Sequence, residues 1–162
     1  LIILRDTREQ LPLEFQHPYI TKIEEIGLPV GDYGCRYENG YIAPIIFERK
    51  GIGDLFGTFG KGHDRFKEEL LKAKELDIKL ILLIECSYTE IENGYEPSTI
   101  KGISIIKKIM TIWIRYGLVP IFCKNRLECT NFITEFFLAY GRNLDFKKMG
   151  YNGIQAIQDN RE

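Results

Sequence analysis

Gly31-Asp32, a gap of fifteen residues, Glu48-Arg49-Lys50, three more residues and Asp54 set acids and a lysine at the spacing that metal-dependent phosphodiester cleavage needs. Mg²⁺ is a hard cation that takes one or two carboxylates from a protein and keeps waters and substrate phosphate oxygens in its shell. Asp32 and Glu48 are of the right type to supply those carboxylates. Ile45-Ile46-Phe47, ahead of Glu48, reads as an apolar strand, and in a strand residues two apart share a face. Glu48 and Lys50 therefore project together. Beside a cation on Glu48, the Lys50 ammonium can orient or help deprotonate water and offset charge on the phosphorane. Arg49 projects from the opposite face. It either pairs with a carboxylate such as Asp6, Glu9 or Asp54, or contacts phosphate, and the spacing leaves both readings open.

Strand parity makes a sharper demand on these residues. Asn39-Gly40 is a strong hairpin signal between strands expected around Val30 to Tyr37 and Tyr41 to Arg49. A plain two-residue turn pairs Glu38 with Tyr41 and sets Asp32 opposite Phe47, so Asp32 and Glu48 fall on opposite faces. Shared ligation of one ion requires a parity change by one residue, through a connection of odd length or through a bulge. Pro44 lacks an N–H, which makes it the natural place for such an irregularity.

These residues in this order resemble the nuclease domain of the XPF family of structure-specific endonucleases, whose signature is GD, a variable gap, ERK, three residues and D. Leu4-Arg5-Asp6-Thr7-Arg8-Glu9 is similar to the family's first strand and its D-[ST]-R-E motif. Leu55 to Thr58, running on through Arg65 and Glu69, is similar to the segment with a basic residue and a polar residue four positions later, and Leu80 to Glu85 to the strand after it. The resemblance spans roughly residues 1–140. It implies a restriction-endonuclease-like α/β fold, a mixed central sheet flanked by helices, and Mg²⁺- or Mn²⁺-dependent endonucleolytic cleavage of DNA at junctions between single and double strands. Asp32 and Glu48 then bind the metal, Lys50 handles the water, and Asp6 supports the metal shell or polarises Lys50. Arg49 joins the catalytic set, Arg8, Lys61 and Arg65 are candidate DNA contacts, and Asp54 and Glu9 are candidate supports. Family nucleases commonly work as homodimers or heterodimers and carry a helix-hairpin-helix domain after the nuclease domain, for which residues 141–162 leave no room.

Local alternatives accompany several of these residues. Glu48-Arg49-Lys50 alone would read as a solvated charge run. Asp54 suits a helix N-terminus through the macrodipole. Arg65 can pair with Glu69 at i,i+4. For the whole chain, the rival class is a non-catalytic DNA-binding or scaffolding partner, which typically loses the ERK acids that this chain keeps. An exonuclease or recombination nuclease on the same fold is a further alternative.

With 162 residues, 44% hydrophobic and 28% charged, the chain suits one globular domain. Its net charge of −1 confines DNA contact to a local surface, since non-specific affinity comes from neutralised phosphates. Four cysteines without a CxxC pair read as reduced thiols of an intracellular protein, and two isolated histidines offer no zinc set. No segment has the length of a membrane span, no signal peptide is visible, and the first residues already read as a strand, as in a fragment of a longer protein. Gly60-Lys61 lacks the flanking residues of a Walker loop, which argues against a nucleotide cofactor.

The remaining elements follow from pattern. Leu1 to Arg5 reads as a strand, Thr21 to Ile26 as a short helix, Ile52 to Phe59 as a helix, and Asp64 to Leu76 as a second with Asp64 as its N-cap. Ile78 to Cys86 and Val119 to Cys123 read as buried parallel strands, and Ser98 to Arg115 and Leu127 to Tyr140 as helices. Trp113, Tyr116 and the Phe132, Phe136 and Phe137 cluster are expected in the core or on a dimer face. Residues 141–162 read as a tail, a linker or one peripheral helix.

Overall fold

The computed structural model describes residues 1–60, 63–146 and 148–150. In chain order the elements are β1 (Ile2–Asp6), β2 (Lys22–Ile26), β3 (Tyr33–Arg36), β4 (Ile45–Gly51), α1 (Ile52–Gly60), α2 (His63–Glu75), β5 (Lys79–Glu85), α3 (Tyr88–Asn93), α4 (Gly102–Tyr116), β6 (Val119–Phe122) and α5 (Arg126–Arg142). The strands form one sheet in the order β2-β1-β3-β4-β5-β6. β3 runs antiparallel to both β1 and β4, whereas the β1–β2, β4–β5 and β5–β6 pairs are parallel. This is the mixed sheet with flanking helices expected from the sequence.

The period of two along the strands divides the core. Leu4, Ile46, Leu80, Leu82 and Ile84 pack with the buried faces of α1, α2 and α4. Ile3, Tyr33, Phe47, Ile81 and Leu83 pack with α5 on the other side. Phe47 meets the rings of Phe132, Phe136 and Phe137 nearly edge-on, at centroid distances of 6.1, 5.2 and 5.5 Å. The phenylalanine cluster is thus core. Trp113 and Tyr116 are not, being 44% and 41% exposed, because α4 turns Ile105, Ile106, Ile109 and Ile112 inward instead.

Residues 22–26 are a strand, not the short helix expected over Thr21 to Ile26. Thr21 N and the run behind it hydrogen-bond along β1, with Ile3 opposite Ile23. The carboxylates of β2 are used between strands: Glu25 accepts from Arg5 and Glu24 from Arg36. α2 begins at His63, which places Asp64 inside the first turn and not at the N-cap. α3 has no counterpart among the expected elements. Its start carries a capping box, in which Glu90 N donates to Ser87 Oγ and Ser87 N to Glu90 Oε2.

α5 reaches Arg142, and Phe146 beyond it packs on Tyr37 and Tyr41 at 5.4 and 5.6 Å. Of the stretch read as a tail, residues 151–162 lie outside the described residues. All four cysteines are free and buried. Among the described residues no helix is long and apolar enough to cross a membrane.

Candidate active site

The hairpin between β3 and β4 decides where the acids go. Tyr37 N donates to Tyr41 O, which leaves a three-residue connection of Glu38, Asn39 and Gly40. Arg36 pairs with Ile42, and further on Tyr33 pairs with Phe47. Three steps along β3 thus correspond to five on the other strand, and the two extra residues fall in the stretch that contains Pro44. The odd connection changes the parity and the pair of extra residues preserves it, so the register carries Asp32 opposite Glu48. Of the two alternatives read from the sequence, the odd connection supplies the parity change, while the irregularity around Pro44 adds two residues and leaves the parity as it was.

Asp32 sits at the tight corner that opens β3. Its N–H donates to Phe47 O, and its carbonyl accepts from Asp6 N, both at 2.8 Å. Gly31 before it has φ +66°, and a Cβ there would stand 2.5 Å from Ile46 Cγ2 and 3.1 Å from Phe47 O. Only glycine meets both conditions. Asp32 Oδ2 accepts from Arg49 N at 2.7 Å, and Glu48 Oε1 accepts from Lys50 Nζ at 2.7 Å. Lys50 Nζ also lies 5.1 Å from the centre of the Phe66 ring on α2.

Asp32, Glu48, Gly31, Asp6 and Arg8 line one cleft of about 350 Å³ together with Arg65, Glu68, Glu69 and Lys72 of α2. Burial and the neighbouring Glu48 push the Asp32 carboxyl up to about 8. Burial also pushes Glu48 up, with Lys50 opposing and Glu69 adding to the rise. Two desolvated carboxylates that raise each other's proton affinity form a site that a divalent cation relieves. Asp32 Oδ1 and Glu48 Oε2 receive no protein donor among the described residues, where no fully buried polar side-chain atom lacks a partner, so both oxygens are open to the cleft. Among the described residues no three ligand-type side chains converge on one point. The donor set therefore fits a hydrated, oxygen-seeking ion such as Mg²⁺ or Mn²⁺ better than a closed four-ligand metal.

The other expected residues separate by function. Arg49 faces away, and its guanidinium bonds Glu9, Glu85 and Leu11 O. Of the two readings left open for Arg49, the structure shows the pairing with a carboxylate, Glu9, together with Glu85, and its main-chain N–H donates to Asp32 Oδ2. Glu9, the expected support, is that ion-pair partner and also accepts from Tyr33 OH. Asp6 reaches neither Lys50 nor the free carboxylate oxygens. Its buried carboxylate accepts from Arg8 N, Arg8 Nε, Arg8 Nη2 and Leu28 N, which locks the chain where it leaves β1. Burial works against its ionisation, but the hydrogen bonds from Arg8 and Leu28 prevail and hold it below the usual carboxylate range. Arg8 keeps an exposed guanidinium at the cleft. Arg65 lines the cleft and makes no ion pair with Glu69, whose Oε1 accepts from Gly31 N instead. Asp54 is exposed in the first turn of α1 and is not among the residues lining the cleft. Lys61 lies outside the described residues. Glu68 and Lys72 were missed as cleft residues; their signal was the i,i+3 and i,i+7 spacing from Arg65 on one helix.

Residues 5–136 match the family model of the ERCC4 domain. Among solved structures, XPF from Aeropyrum pernix is 16% identical, with a TM-score of 0.64, over 93% of this chain and 70% of that one. A structure of XPF from Aeropyrum pernix in complex with DNA is 18% identical, with a TM-score of 0.62, over 96% of this chain and 76% of that one. At such identities the likeness shows a shared fold. No match was found among curated proteins.

Proposed function

Because the chain belongs to the ERCC4-domain family, we propose that it is a divalent-metal-dependent DNA endonuclease that hydrolyses phosphodiester bonds at junctions of single and double strands, such as flaps or forks. The observation that carries this reading is that Asp32 and Glu48 line one cleft, with Lys50 Nζ donating to Glu48 Oε1. Asp32 and Glu48 would hold Mg²⁺ or Mn²⁺, which supplies Lewis acidity and an acidified water when bound. Lys50, with one N–H given to Glu48, keeps two for the attacking water and the non-bridging phosphate oxygens. Arg8, Arg65 and Lys72 seat the flanking phosphates. DNA as the substrate is supported by the DNA-bound solved structure of the same fold. Pairing with a second copy or a related chain completes the reading.

The test compares cleavage of flap, splayed-arm, linear duplex and single-stranded DNA with Mg²⁺, Mn²⁺ or EDTA. Metal-dependent incision near the branch of the flap and splayed-arm substrates is expected. Incision that persists in EDTA, or none on any substrate, would overturn it.

A further inference from the structure

We propose that Glu69 is a positioning residue, the latch through which α2 sets the place of the Gly31-Asp32 corner. The inference rests on the nuclease reading of the cleft and assigns that site a further residue.

Four contacts fix this corner. Three come from the sheet: Asp32 N to Phe47 O, Asp6 N to Asp32 O, and Arg49 N to Asp32 Oδ2. The fourth, Gly31 N to Glu69 Oε1 at 2.9 Å, joins residues 38 apart in sequence and comes from a helix. Gly31 sits in left-handed backbone against Ile46 and Phe47 O, so its amide finds no ladder partner and relies on the carboxylate. A carboxylate acceptor makes a stronger bond to an amide than a neutral one does. Glu69 is also bracketed on α2 by Arg65 and Lys72, which line the same cleft. The latch therefore ties the cations that would meet phosphate to the carboxylate that would meet the metal. The Glu69 oxygen that makes the latch, Oε1, is engaged by the Gly31 amide. An outer partner that orients a ligand typically affects metal affinity about 10- to 100-fold.

The test uses isotope-labelled protein and Mn²⁺ as the probe. In the wild type, NMR should detect a scalar coupling across the bond from Gly31 N to the Glu69 carboxylate, which needs no substitution; its absence overturns the proposal. Glu69→Ala should speed Gly31 amide exchange about 10- to 100-fold, the scale of a hydrogen bond to a charged group, and weaken Mn²⁺ binding about tenfold. Glu69→Gln retains an acceptor oxygen and should keep Gly31 protected. Unchanged Gly31 exchange in Glu69→Ala, or equal loss in Glu69→Gln, overturns the latch. Failure of the nuclease reading looks different: a wild type with Gly31 protected that neither binds Mn²⁺ nor cuts DNA.

Discussion

Lys50 is held from two sides, by Glu48 Oε1 and by the face of Phe66, so its ammonium has one defined place beside Glu48. Lys50→Met keeps most of the stem against Phe66 and removes the charge; Asp32→Ala removes a carboxylate without opening the core. Both variants should fold, as judged by circular dichroism, and lose cleavage by about 10²- to 10³-fold, the scale of a single electrostatic stabiliser. Wild-type rates from either variant would remove that residue from the mechanism. Asp6 predicts a pH effect. A carboxyl held below its ordinary value of 3.8 contributes stability that is present above that value and lost as pH falls through the lower folded one. Asp6→Asn should flatten the acid limb of the Tm against pH curve and, near neutrality, cost about 1–3 kcal/mol, because Leu28 N or Arg8 loses its acceptor. Spacing put Glu48 and Lys50 on one face because strand parity is a local rule, and Asp32 comes opposite Glu48 through the odd connection. The supporting role of Asp6 came from the resemblance and not from spacing; its carboxylate accepts from Arg8 and from Leu28 N, contacts that strand parity does not show. The i,i+4 spacing offered Glu69 to Arg65 as one alternative, since a partner 38 residues away leaves no local trace.

Among the elements, the β3–β4 hairpin brings Asp32 opposite Glu48 across a fifteen-residue gap in sequence. Gly31→Ala puts a Cβ at 2.5 Å from Ile46 Cγ2 in left-handed backbone. It should destabilise the fold by about 1–3 kcal/mol, the cost of such strain, and weaken Mn²⁺ binding as the corner shifts; denaturation and Mn²⁺ titration would show it, and intact values of both would sink the geometry. Arg49 joins β4 to the loop after β1 and to β5. Arg49→Ala leaves Glu9 and Glu85 without that cation and should cost about 3–5 kcal/mol by the same denaturation measurement, because the side chains are mostly buried. Elements with strong apolar runs were legible, β5 and α4 among them. β2 was not: Lys22-Ile-Glu-Glu-Ile26 has no decisive period, and its strand state is imposed by β1 and by the arginines of β1 and β3. α3 was legible in principle from Ser87 and Glu90, but six residues are too few to show an apolar stripe.

For the whole molecule, a net charge of −1 and a cleft holding acids among Arg8, Arg65 and Lys72 predict weak, local attraction to DNA. Three phosphate contacts give a log K against log salt slope of about −3 on duplex, and Arg65→Ala should reduce its magnitude by about 1. A slope unchanged by that substitution would put Arg65 outside the binding surface. The sheet's margins constrain assembly as well. One outermost strand, β2, carries Lys22, Glu24 and Glu25 in five residues, and the other, β6, contains Pro120, which has no N–H to offer. Charge and proline at the margins discourage a stranger's backbone from docking there. Neither flank invites extension into a fibril or a sheet shared between copies, which leaves to helices and loops any recognition of a companion polypeptide, written in residue identity rather than in the common backbone.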